Sequence, residues 1–341
     1  MSEFVNLTHG EREVYFRKAS EILGLNISII EKDFWVCWIL DLLFNIENNG
    51  EPFTFKGGTS LSKIYRIIQR FSEDIDISID KEFLGFKDGR DPENVDGTKK
   101  REKLIKELSA RCKEYINNDL FVKIKTAIQN DITSDRSWSL DLDVEDPDEQ
   151  TILFSYPTIS QTSITPYVRK QVKIEFGARG DPWPTLKKTI SPYVEEAIPG
   201  TIQSSLADIT VLEAKRTYWE KATILHMLYY LPEKKVMPPR MSRHYYDFYM
   251  LTKSEIHNDA LSNLSLLERV AKHKAIYFRS AWARYDLASP DTIKIVPSTR
   301  CLKELKDDYI KMREMFFEKP PELEDILEGL KTVEKEIRAT K

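Results

Sequence analysis

The chain has 341 residues, a length that favours two domains at about 100–200 residues each. Its 51 Lys and Arg against 55 Asp and Glu give a formal charge of −4, which excludes a basic coat for gripping nucleic acid but not a local basic groove. Three widely spaced cysteines, Cys37, Cys112 and Cys301, exclude a disulfide scaffold or structural zinc site and point to a reducing compartment.

The first residues lack a basic segment followed by an apolar one, so no secretory signal is expected. The most apolar stretch, 34–44, is interrupted by Asp41 and is too short to span a bilayer. A cytoplasmic protein with no membrane association is the expectation. Ser28 and Glu31 read as a capping box opening a helix, in which Phe34, Trp35, Trp38, Ile39, Leu42 and Leu43 recur at helical spacing and predict burial. A short strand over 53–55 leads into Lys56-Gly57-Gly58-Thr59-Ser60. A helix is then expected from Thr59 or Ser60, with Leu61, Ile64, Tyr65, Ile67 and Ile68 facing inward.

Residues 74–80, DIDISID, alternate strictly and predict a half-buried strand. The polar stretch 85–100 holds three of the twelve glycines and reads as a loop. A helix is expected over 101–117, then strands near 121–129, 138–145, 151–158 and 169–177. From Val211 the pattern turns helical, with helices expected over 211–231, 242–252, 259–284, 299–317 and 321–338. This is an α+β chain, with a mixed or antiparallel sheet flanked by helices over 1–208 and a helical domain over 209–341.

Side chains on a strand switch faces at every residue, so Asp74 and Asp76 share one face while Ile75, Ile77 and Ile79 face the core. Two carboxylates held together repel unless a cation lies between them, and hard oxygen ligands suit Mg²⁺ with substrate phosphates completing its shell. An isolated D-x-D is otherwise an ordinary wet strand face. Here it follows a glycine turn between a strand and a helix, where backbone N–H groups can approach an anion closely. Thr59 and Ser60 add hydroxyls, and Lys56 and Lys63 add charge. Neither the P-loop nor the G-x-G-x-x-G pattern is matched.

The segment Lys56 to Lys63, KGGTSLSK, followed by Arg70 to Ile77, RFSEDIDI, resembles the signature of the AbiEii/AbiGii nucleotidyltransferase toxins of the DNA polymerase β-like superfamily. Further similar segments run along nearly the whole chain: Glu31 to Val36, Lys173 to Phe176, Glu213 to His226, Arg243 to Asp247, and Met315 to Leu330. The resemblance implies an N-terminal polymerase-β-like nucleotidyltransferase domain and a helical domain completing the active site. It implies a metal-dependent enzyme moving a nucleotide from an NTP to a hydroxyl acceptor such as tRNA, acting as a toxin with a cognate antitoxin.

The implied third carboxylate is Glu175, which alternates away from Val172, Ile174 and Phe176. By spacing alone Asp141 and Asp143, on another alternating run, compete with it. The implied metal ligands are Asp74, Asp76 and Glu175, holding one or two Mg²⁺. The triphosphate falls to Lys56, Gly57, Gly58, Thr59, Ser60 and Lys63, with Lys221 matching the family's third motif. Asp247, four residues after Arg243, matches the fourth, where it orients Lys221 or the acceptor. Transfer of a nucleotidyl or phosphoryl group to a protein, and a non-catalytic nucleotide-sensing or partner-binding module, are the alternative readings.

Overall fold

The computed structural model describes residues 1–46, 52–72, 74–135, 137–159, 169–202 and 208–340. These fall into two compact units, one of Met1–Ile64 with Phe71–Val211 and the other of Tyr65–Arg70 with Leu212–Lys341.

The first unit opens with three helices, α1 (Ser2–Val5), α2 (His9–Leu23) and α3 (Ile27–Ile46). The capping box belongs to α2: Thr8 Oγ1 accepts from Glu11 N, and the Glu11 carboxylate accepts from Thr8 N. The expected Ser28–Glu31 box is absent. Asn26 Oδ1 takes the Ser28 N–H at 2.9 Å, while Glu31 accepts from Thr158 Oγ1 and Ile159 N. The polar partners that bury Glu31 thus outweigh a local cap. In α3 an unbroken run from Ile30 to Leu40 is buried; its apolar residues belong in a core, and the charged Glu31, Lys32 and Asp33 within it each meet a polar partner. Trp35 and Trp38 pack on Phe154, and the Trp38 indole donates to Asp131 at 2.7 Å. Each such aromatic burial contributes on the order of 1.5–3 kcal/mol.

Strand β1 (Phe53–Lys56) runs directly into α4 (Gly57–Lys63), and β2 (Asp74–Ile79) follows. The helix ends at Lys63, short of the helical spacing that continues to Ile68. Arg66 takes a positive φ of 53°, and Tyr65–Arg70 joins the second unit through its own hydrogen bonds. The Tyr65 hydroxyl donates to the Leu212 carbonyl, Gln69 N donates to the Tyr246 hydroxyl, and Phe317 N donates to the Gln69 carbonyl.

Helix α5 (Thr98–Glu114) continues through a π-helical turn, Tyr115–Leu120, into α6 (Phe121–Asp131). The strand expected near 121–129 is therefore a helix. Leu120, Ile124 and Ile128 repeat every four residues and are all buried, whereas Val122 is 56% exposed. The apparent two-residue alternation of FVKIK was a fragment of that longer period.

Strands β3 (Ser139–Leu142), β4 (Thr151–Ser155), β5 (Gln171–Gly177) and β6 (Thr185–Thr189), helix α7 (Tyr193–Ala197) and strand β7 (Asp208–Leu212) follow. Among the described residues seven strands form one mixed sheet in the order β3-β4-β5-β2-β1-β7-β6. β1 and β2 are antiparallel, β2 and β5 are parallel, and β4 is antiparallel to β3 and β5. β6 and β7 carry little of the expected signal: TLKKT lies mostly exposed, and DITVL merges into the following helix.

The second unit is helical: α8 (Ala214–Tyr229), α9 (Ser242–Thr252), α10 (Ile256–Leu261), α11 (Leu264–Tyr277), α12 (Leu302–Lys311) and α13 (Leu323–Ala339). Val211 and Leu212 close β7 instead of opening a helix, and Glu213 caps α8 in extended geometry. The single helix expected over 259–284 is broken between α10 and α11, and Arg284, at φ 48°, separates two short 3₁₀ turns. Residues 299–317 form α12 flanked by 3₁₀ turns. Among the described residues no helix is long and apolar enough to cross a membrane.

Candidate functional site

On β2 the core side chains Ile75, Ile77 and Ile79 are buried, and Asp74 and Asp76 are half-buried on the other face. The register then selects their neighbours. Lys56 on β1 stands opposite Asp76, and on β5 Lys173 and Glu175 stand beside Asp74 and Asp76 respectively. Residues in register on adjacent strands share a face at about 4.8 Å spacing. Glu175 is thus the carboxylate next to Asp76. Asp141 lies on the edge strand β3, with β4 and β5 between it and β2, and accepts from Ser139 Oγ at 2.8 Å. Asp143 lies just beyond β3, with its carboxylate 4.0 Å from Lys173 Nζ.

The glycine turn touches the same carboxylate. Gly57 has φ +83°, and a Cβ there would lie 1.9 Å from Asp76 Oδ2 and 2.7 Å from its Cγ. Only a residue without a side chain lets the turn and the acid approach this closely. Gly58 follows in the first turn of α4, half-buried like Lys56 and Gly57. The hydroxyls of Thr59 and Ser60, expected to meet phosphate, bond backbone carbonyls here. Thr59 Oγ1 donates to the Asp74 carbonyl at 2.5 Å and Ser60 Oγ to the Gly57 carbonyl at 2.9 Å, both side chains being buried. They fix the turn and the start of β2 from within.

Lys63, expected beside the triphosphate, lies in the core. Its ammonium is buried 2.7 Å from Asp33 Oδ1, 3.8 Å from Glu196 and 3.6 Å above the Tyr193 ring. Burial would lower its pKa, but Asp33 and the surrounding anionic groups overcome that and hold it raised. Asp33 in turn accepts from Tyr193 N. One helical turn beyond the inward-facing Thr59, Lys63 follows it into the core, so the physical reason is the face of α4 on which it lies.

Lys173, given no role from the sequence, has its Nζ 2.6 Å from Glu175 Oε1. Burial opposes its charge, while Glu175, Asp74 and Asp143 raise its pKa. Among the described residues no three His, Cys, Asp or Glu side chains already converge to enclose a metal ion. The donor set nevertheless fits Mg²⁺. It consists of hard carboxylate oxygens from adjacent, in-register strands, beside a cradle that a Cβ would fill.

In the second unit Asp247 of α9 is fully buried and accepts from three donors. Arg70 Nε reaches Oδ1 at 2.7 Å, Arg70 Nη2 reaches Oδ2 at 2.8 Å, and Lys221 Nζ reaches Oδ2 at 2.7 Å. Burial would raise the Asp247 pKa, but Arg70 and Lys221 hold it well below the usual carboxylate range. Burial, with Lys221 and Arg243 nearby, pushes His244 far down, so its ring is neutral. Lys221 and Asp247 are thus brought together as the motif spacing implies. Arg70 was visible only as part of a motif, because its partner is distant in sequence.

This fold, a mixed sheet presenting paired acids beside a glycine turn, with a helical unit after it, is that of a nucleotidyltransferase. A family model described as nucleotidyl transferase AbiEii toxin, type IV toxin–antitoxin system, matches residues 38–330. The chain belongs to this family of nucleotidyltransferase toxins. Among solved structures it is similar to MenT4, a nucleotidyltransferase toxin from Mycobacterium tuberculosis H37Rv. Identity is 16% and the TM-score 0.49, over 98% of this chain and 94% of that one. No curated protein matches the chain.

Proposed function

We propose that the protein is a Mg²⁺-dependent nucleotidyltransferase that moves a nucleotide from an NTP to a hydroxyl of RNA, with tRNA as the acceptor class, in the cytoplasm and under the control of a cognate antitoxin. The observation that carries this reading is the contact of Asp76 with the Gly57 turn, with Glu175 in register beside it. Asp74, Asp76 and Glu175 would hold the ion. Bound there, Mg²⁺ supplies Lewis-acid stabilisation of charge on the phosphoryl oxygens.

The remaining work belongs to the chain. The backbone of Gly57 and Gly58 gives the triphosphate close approach, and Lys56, opposite Asp76, offsets its charge. Thr59 and Ser60 hold that turn rigid through the Asp74 and Gly57 carbonyls, so the acids and the turn keep one geometry. The acceptor hydroxyl oxygen attacks the α-phosphorus as its proton passes to solvent, the bond from that phosphorus to the bridging oxygen breaks, and pyrophosphate leaves. Positioning and electrostatics, not covalent chemistry by the protein, are what such a reaction asks of its site. In the second unit Asp247 fixes the ammonium of Lys221, the lysine that the family motif singles out.

The test is incubation with each α-labelled NTP, Mg²⁺ and total RNA, followed by identification of the labelled species. Label on RNA that disappears with Asp74→Ala or Asp76→Ala supports the reading. Label on protein alone, or none under any NTP, contradicts it.

A further inference from the structure

The acid face of β2 and β5 already contains a cation of its own. Lys173 lies two residues before Glu175 on the same strand face, in register with Asp74. Its ammonium is 2.6 Å from Glu175 and 4.0 Å from Asp143. Like charges on adjacent strands repel, and a lysine folded along the strand relieves that repulsion. The arrangement is not locked in the core as the Lys63–Asp33 pair is. The Lys173 side chain is 36% exposed and that of Glu175 41%, against 4% for both Lys63 and Asp33. A flexible four-carbon stem at that exposure can swing its head into water.

We propose that Lys173 is a built-in competitor for the divalent ion: its ammonium holds the carboxylates while the ion is absent and must leave Glu175 for the ion to bind. This rests on the assignment of Asp74, Asp76 and Glu175 as the metal ligands and adds to it a residue that weakens the site. The ion then displaces a charge already in place instead of entering an open acid pair. Metal affinity is lower than the ligands alone would give, so ion binding becomes easier to couple to arrival of the triphosphate, whose oxygens supply the missing negative charge.

The experiment is a Mn²⁺ titration without nucleotide, following the EPR signal of free Mn²⁺, on the full-length wild type and on Lys173→Met, Lys173→Gln, Lys173→Arg and Asp76→Asn. Removing one positive charge at contact distance in a partly exposed site should tighten Mn²⁺ binding roughly tenfold in Lys173→Met and Lys173→Gln. Lys173→Arg, which keeps the charge, should stay close to wild type, and Asp76→Asn should lose binding. If Asp76→Asn abolishes binding while both neutral variants bind no more tightly than wild type, the inference fails and the ligand assignment survives. If Asp76→Asn binds as the wild type does, or no protein binds Mn²⁺, the ligand assignment fails and the inference with it. Two neutral variants of different shape keep the result independent of the folding of either one.

Discussion

Gly57→Ala separates the geometry of the site from the stability of the fold. The new Cβ would lie 1.9 Å from Asp76 Oδ2, whereas ordinary contact begins near 3.4 Å, so the carboxylate must retreat by about 1.5 Å. A misplacement of about 1 Å can lower a positioned reaction roughly 100-fold. The folding penalty is smaller. Alanine at φ +83° costs about 1–2 kcal/mol, which at roughly 2–4 °C per kcal/mol lowers Tm by about 2–8 °C. Label transfer measured well below the Tm should therefore fall by at least about 100-fold while calorimetry still shows a cooperative transition. Gly10→Ala is the control. It lies exposed in α2 with nothing within 4 Å of the added Cβ, so Tm should rise slightly, by up to about 1 kcal/mol of stability, with activity unchanged. Transfer by Gly57→Ala within about threefold of wild type would refute the reasoning, since a site that tolerates that displacement is not positioned by the turn.

Asp247→Ala leaves Arg70 and Lys221 buried without their anion and should cost on the order of 3–5 kcal/mol, read by denaturant unfolding. Folding lowers the pKa of Asp247, so its contribution is complete above the unfolded value near ~3.9 and declines as pH falls below it. The variant's stability should therefore fall less steeply than wild type below pH ~4, and parallel acid limbs would argue against the cluster. Lys63→Met should destabilise by a similar amount, about 3–5 kcal/mol, by stranding Asp33 in the core. Asp33→Leu added to it should restore much of that loss, and KM for NTP should stay within about twofold throughout if the ammonium's part is to pair with Asp33. A tenfold or larger rise in KM at ~25 °C would return Lys63 to the nucleotide.

The strand bearing Asp74 and Asp76 was legible because alternation with three buried isoleucines admits one pairing of faces. By spacing alone Glu175 was one of several acids, and the family resemblance singled it out. That Glu175, and not Asp141 or Asp143, stands beside Asp76 depends on the strand order, and a single sequence carries no record of which strands are neighbours. The placement of Thr59, Ser60 and Lys63 was obscured for a related reason. Their chemistry suits phosphate, but the face of α4 that carries them is decided by partners at Asp74 and Asp33, the second far away in sequence. Local pattern failed where tertiary contacts overrode it. Residues 65–70 continue a helical spacing but leave the helix to bond Leu212, Tyr246 and Phe317. Five residues of alternation at 121–125 hid an eleven-residue helix. Arg70 and Lys173 escaped notice because a lysine or arginine beside acids is ordinary until its distances are known.

Diffraction from a crystal soaked in Mn²⁺ and an unreactive NTP analogue, collected at an energy where manganese scatters anomalously, addresses the central assignment directly. The predicted result is an anomalous peak within about 2.5 Å of carboxylate oxygens of Asp76 and Glu175, with the triphosphate against Gly57 and Gly58. A peak elsewhere, or a bound analogue with its phosphates away from the glycine turn, would contradict the account.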